Sequence, residues 1–190
     1  MRKLLLSFVF YGLQTMAFAQ VVTPDTRPLS FKENNLSMNF SVYTEPIEIK
    51  PKNDLIYFHY HADKMFQTQG GFTGWLLHGK FESLYADKVL HSQGEFQFGL
   101  KSGEWKYWHP NGFLKLVENW KKGIKSGSFA EYNDKGKIIK SGKYRNNIQT
   151  GKIAIYDESG KIIQKIENNK STKEAPKTKK ITLDENKTNK

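Results

Sequence analysis

Ser102-Gly103-Glu104-Trp105-Lys106-Tyr107-Trp108-His109-Pro110-Asn111-Gly112, continued by Phe113 to Lys121, sets a short aromatic run, a turn signal and a second apolar run in succession. Asn111-Gly112 is a strong hairpin signal, because a type I′ turn needs two adjacent residues that tolerate positive φ. On both sides of this stretch the pattern returns every 24 residues. Gly79, Gly103, Gly127 and Gly151 form one column, and Tyr57, Phe81, Trp105, Phe129 and Ile153 a second. Further columns run through Tyr60, Leu84, Trp108, Tyr132 and Tyr156, through Phe66, Leu90, Leu114, Ile138 and Ile162, and through Phe72, Phe96, Trp120 and Tyr144. Gly112, Gly136 and Gly160 mark the first turn, and Gly70, Gly94 and Gly142 form a last column in which Glu118 is the exception.

Columns in register without an insertion define five units, 54–77, 78–101, 102–125, 126–149 and 150–166. Each unit holds two strands and two turns. Lys135-Gly136 and Ser159-Gly160 are weaker forms of the first turn, and the glycine-bearing segment 121–127 reverses the chain again. The expected fold is all-β: an elongated single-layer antiparallel sheet of tandem β-hairpins. At ~4.8 Å per strand such an array advances by about 10 Å per unit, or about 50 Å for five.

The flanks read differently. Arg2 and Lys3, the apolar run Leu4 to Phe10 and Ala17-Phe18-Ala19 before Gln20 predict a signal peptide over 1–19. That run falls short of the roughly 20 apolar residues of a membrane span, and no other segment comes closer. In 20–53, Pro24, Pro28, Pro46 and Pro51 argue against a central strand. Ser37 to Tyr43 alternates well enough for one edge strand and Pro46 to Lys50 for another, so the segment is expected to cap the array. From Glu167 to Lys190 the chain is rich in Lys, Asn and Thr, as in a disordered basic tail. The absence of cysteine excludes disulfides and thiol chemistry.

Gly94-x-Phe96-x-x-Gly99-x-x-x-Gly103-x-Trp105-x-x-Trp108 resembles the MORN repeat, in particular its bacterial MORN-variant form, and the resemblance spans about residues 57–163. It implies an elongated, twisted, single-layer sheet in which each hairpin pairs with the next. Bacterial proteins of this kind often carry export signals and an antitoxin-component-like label. Lys64 and Lys88 stand where the pattern has its turn glycine, and Trp75 replaces the glycine found at Gly99 and Gly123.

Nothing in the pattern points to catalysis, a cofactor or a metal. His61 and His109 share a column but lie two units apart, roughly 19 Å across four strand spacings; zinc ligands converge within ~2.1 Å of one ion. Carboxylates do not recur as a pair at fixed offset, so general acid–base machinery is not expected. Ser102 and Ser126 precede a turn glycine rather than a catalytic base. The glycine-rich segments lack the strand–loop–helix setting of a phosphate loop. The formal charge of +11 falls to +9 without Arg2 and Lys3; a basic exported chain favours acidic polymers or lipid headgroups over nucleic acid.

Ring size peaks in unit 102–125. Trp105, Tyr107, Trp108 and Trp120, with Lys106, Lys121 and Lys122, are therefore the expected binding face. The sequence predicts an exported, non-enzymatic binding module of the periplasm, outer membrane or medium. Its partner is expected to be another protein or an envelope glycan or lipid headgroup, with an antitoxin-like role as a further alternative.

Overall fold

The computed structural model describes residues 25–168. The expected signal peptide, and the tail beyond Asn168, lie outside the described residues. The described chain is all-β, with strands β1 (Thr26–Glu33), β2 (Leu36–Tyr43), β3 (Ile56–His61), β4 (Lys64–Gln69), β5 (Trp75–Leu84), β6 (Leu90–Gln97), β7 (Leu100–Trp108), β8 (Leu114–Lys121), β9 (Ile124–Tyr132), β10 (Ile138–Arg145), β11 (Ile148–Tyr156) and β12 (Ile162–Asn168). They form one open antiparallel sheet in the order β1-β2-β5-β6-β7-β8-β9-β10-β11-β12, with β3 and β4 branching off β5. No described helix is long and apolar enough to cross a membrane.

Two kinds of turn drive this array. At one end the chain reverses through Phe98-Gly99, Lys122-Gly123 and Asn146-Asn147, where both residues take positive φ as a type I′ turn demands. At the other end Asn34-Asn35 does the same between β1 and β2, but in the turns from β5 onward the positive φ falls on single residues, Lys88, Gly112, Gly136 and Gly160. There Gly112 N donates to the His109 carbonyl (2.9 Å) and His109 N to the Phe113 carbonyl (2.8 Å), a type I turn closed by a left-handed residue. Asn111-Gly112 is thus not the type I′ turn that the dipeptide suggests. Pro110, with φ held near −65°, suits the second position of this turn, and Asn111 after it keeps the negative φ of type I. Asn111 instead donates to the Asp134 carbonyl at 2.6 Å, tying its turn to the next.

Gly103 makes a bulge. Gln93 pairs with Lys106 and Glu95 with Ser102, so Gly103, Glu104 and Trp105 face Gly94 alone; Gly151, Lys152 and Ile153 face Gly142 in the same way. The extra residues turn Phe81, Trp105, Phe129 and Ile153 inward, and all four are buried. Gly94 makes room for the ring opposite, since a Cβ there would lie 2.3 Å from the Trp105 indole.

The N-terminal segment departs from expectation. β2 is not an edge: it lies between β1 and β5, so a central strand does form before residue 54. Pro28 sits in the edge strand β1, where the sheet already ends, and the stretch from Pro46 to Lys50 forms no strand. With β2 beside β5, the first predicted hairpin cannot join the row. β3 meets β5 only through His59↔Leu76 and Tyr60↔Trp75. It crosses the type I′ end of the sheet, where Phe58 N donates to the Gly99 carbonyl at 2.7 Å. Phe58, Tyr60 and Met65 pack on a core of Met38, Phe40, Val42, Leu77, Phe81, Phe96 and Trp105. A second cluster joins Tyr43, Leu55, Tyr57, Leu76 and Leu100. Both clusters serve β2 to β7. β12, at the far edge, is exposed throughout.

Candidate functional site

Across each type I′ turn a column ring faces a polar side chain: Phe96↔Lys101, Trp120↔Lys125 and Tyr144↔Gln149. Opposed residues share a face, so rings and ammonium groups collect on one side of β7 to β10. Lys101 Nζ lies 4.2 Å from the ring centroid of Trp105, 5.1 Å from Trp120, 5.2 Å from Tyr107 and 5.6 Å from Phe58. Lys125 Nζ is 5.3 Å from Trp120 and 5.2 Å from Tyr144. Lys140 Nζ stands 5.7 Å from Phe129. These distances place the cations within reach of the ring quadrupoles.

Glu118 joins the rings and cations. It stands where Gly94 and Gly142 leave space for a ring, and its carboxylate is buried. Oε1 accepts from Tyr107 Oη at 3.2 Å and from Trp120 Nε1 at 2.9 Å; Oε2 pairs with Lys125 Nζ at 2.6 Å. Lys101 Nζ donates to Tyr107 Oη at 2.7 Å. Lys125 is thus paired with the buried carboxylate, and Lys101 reaches it only through the Tyr107 hydroxyl. Burial pulls the Lys101 pKa down to about 8, against the pull of Glu118 and with help from Lys125. Burial, then the Glu118 charge, hold the Tyr107 phenol protonated well above its ordinary range.

The residues expected to form the binding face divide. Trp105, Tyr107 and Trp120 do come together. Trp105, however, is buried, stacked on Phe81 at 5.6 Å and edge-on to Phe96 at 4.9 Å, so it is part of the core. Lys106 alternates to the opposite face and pairs with Glu104 at 2.9 Å. Trp108 is partly exposed at the far end of β7, where its carbonyl accepts from Tyr85 Oη at 3.0 Å. Lys121 and Lys122 line a separate cleft of about 480 Å³ with Lys50, Lys52 and Asp54. From the sequence Lys101 and Lys125 stand only among the lysines flanking the rings, and neither Glu118 nor Tyr144 is singled out as a site residue. The available signal was Glu118 itself, the one break in a glycine column.

The histidines are placed apart. His59 is within 3.1 Å of Thr68 Oγ1, His78 within 2.7 Å of Tyr43 Oη, His91 within 2.9 Å of Ser83 Oγ and His109 within 3.1 Å of the Tyr132 carbonyl. Among the described residues no three of His, Asp and Glu converge as metal ligands would. Compared with protein families, curated proteins and solved structures, the chain matches none.

Proposed function

We propose that this chain is an exported, non-enzymatic binding module of the MORN-variant kind, which takes an acidic protein partner on the lysine–aromatic face of β8 to β10. The observation that carries this reading is the arrangement of Lys101, Lys125 and Lys140 over the rings of Trp120, Tyr144 and Phe129. The β3–β4 hairpin packs on the core of β2 to β7, while Trp120 and Tyr144 remain only half-buried beyond it. Ammonium groups already occupy the ring faces, which disfavours the flat stacking a neutral sugar needs and favours carboxylates that can engage lysine and ring edge together. Glu118 holds Lys125 in place without neutralising Lys101 as well.

The test is capture of an envelope protein by the full chain, with Lys140→Glu and Lys125→Gln as variants, each with a thermal melt because Lys125 is paired with the buried Glu118. Loss of positive charge should slow association and weaken its salt dependence. Capture unaffected by both variants would contradict the reading.

A further inference from the structure

A second feature lies under the β3–β4 hairpin. Between that hairpin and the sheet runs a cleft of about 460 Å³, within the size range of small-molecule sites. Phe58 and Met65 wall it on the hairpin side and Met38, Phe81, Phe96 and Trp105 on the sheet side. Besides the exposed Glu33 and Gln67, its polar groups sit in two sets. Ser83, Ser92 and His91 satisfy one another, with Ser83 Oγ 2.7 Å from Ser92 Oγ and 2.9 Å from His91 Nδ1. Lys101 and Tyr107 form the other set, and Lys101 is not satisfied. Its ammonium carries three donors, yet its hydrogen-bond partner among the described residues is Tyr107 Oη alone. The Glu118 carboxylate is in ion-pair contact with Lys125 instead. A largely buried cation short of a counter-charge is costly, and an anion bound beside it removes that cost.

We propose that this cleft binds a single-chain anionic amphiphile, its apolar chain between hairpin and sheet and its carboxylate on Lys101 and Tyr107. One ammonium and one hydroxyl suit a singly charged head better than a phosphate, which would call for more donors. Flexible Met38 and Met65 in opposite walls suit a flexible chain. The hairpin is held to the sheet by its two residue pairs with β5 and by the Phe58 N–Gly99 carbonyl bond, so the cleft between them is preformed. This site shares Lys101 with the face of β8 to β10, but its test reads binding of a small amphiphile and does not depend on capture of a protein.

The experiment titrates decanoate into the full chain and follows tryptophan fluorescence, since Trp105 and Trp120 lie 4.2 and 5.1 Å from the Lys101 ammonium. Decanol and decyltrimethylammonium serve as neutral and cationic probes of equal chain length. Saturable decanoate binding is expected, with decanol about ten-fold weaker or more because a charge-assisted contact is missing. Lys101→Met should bring decanoate down to the affinity of decanol. Affinity should also fall as the pH passes about 8, where Lys101 gives up its proton. Glu118 and Lys125 are the charged groups that act on it, Glu33 and His91 also line the cleft, and Tyr107 remains protonated. Should Lys101→Met fail to fold, Met65→Trp decides: it fills the cleft from the hairpin side with Lys101 in place, and must abolish binding. No decanoate binding by the native chain, equal affinity for decanol, or undiminished binding by Lys101→Met or Met65→Trp would each overturn the proposal.

Discussion

Glu118 shows what one exception in a column is worth. Its neighbours in the column, Gly94 and Gly142, are small because a ring lies against them: a Cβ at Gly142 would come within 2.9 Å of Phe129. At Glu118 the carboxylate collects Tyr107, Trp120 and Lys125 instead. Glu118→Gln leaves Lys125 without its counter-charge, and stability should fall by about 3 kcal/mol, the usual loss when one partner of a buried pair is removed. Denaturant unfolding of the variant checks it. Gly94→Ala meets Trp105 directly and should cost about 1–3 kcal/mol as an overpacked core, which a thermal melt reads. Burial lowers the pKa of His59, His78 and His91 from the ordinary 6.5. The unfolded chain therefore takes up these protons before the folded one, so stability should decline as pH drops below 6.5 and recover above it. Melts across that window, compared with those of a His91→Asn variant in which the decline is shallower, test the sign. The columns showed that position 118 was unusual. They could not show that Trp105 is core, because ring size says nothing about which rings a neighbouring hairpin covers.

At the level of elements, the strands from β5 onward follow the order the columns predict, since each short turn leaves its strand only one neighbour to pair with. The turn types were less legible. Asn111-Gly112 reads as type I′ by its dipeptide alone, while Pro110 before it already dictates a negative φ. From β5 onward the type I′ turns fall at the other end, where Lys122 accepts a φ of 51° that suits asparagine better. Lys122→Asn should raise stability by up to about 1 kcal/mol through relief of backbone strain, visible as a higher denaturant midpoint at unchanged slope. The N-terminal segment misled for a related reason. Four prolines argue against strands, yet Pro28 costs nothing on an edge, and β2 contains none. The alternation of Ser37 to Tyr43 was the signal that mattered. Nothing local to it shows that β2 takes the place beside β5 and sends the β3–β4 hairpin across the sheet.

As a whole, the described chain is a thin sheet with unequal halves. Around β2 to β7 the folded-over hairpin supplies a second layer and most of the buried apolar side chains. From β8 to β12 the sheet stands largely alone, with Phe129, Ile153 and the Glu118 network as its interior and Ile139, Ile163 and Ile166 exposed. A single layer leaves rings half in water, and here those rings carry lysines. On the proposed function, this open half binds a partner while Trp105 serves the core. The most direct measurement is capture of envelope protein by the full chain and by its Trp120→Ala and Trp105→Ala variants, each with a thermal melt. Trp105→Ala should unfold far more easily, losing about 3–5 kcal/mol as buried tryptophans do. Trp120→Ala, which removes one donor to the buried Glu118 carboxylate, should cost clearly less stability than Trp105→Ala yet lose about 2 kcal/mol or more of binding, as a central aromatic anchor does. Capture that survives Trp120→Ala, or that fails only in step with unfolding, would contradict it.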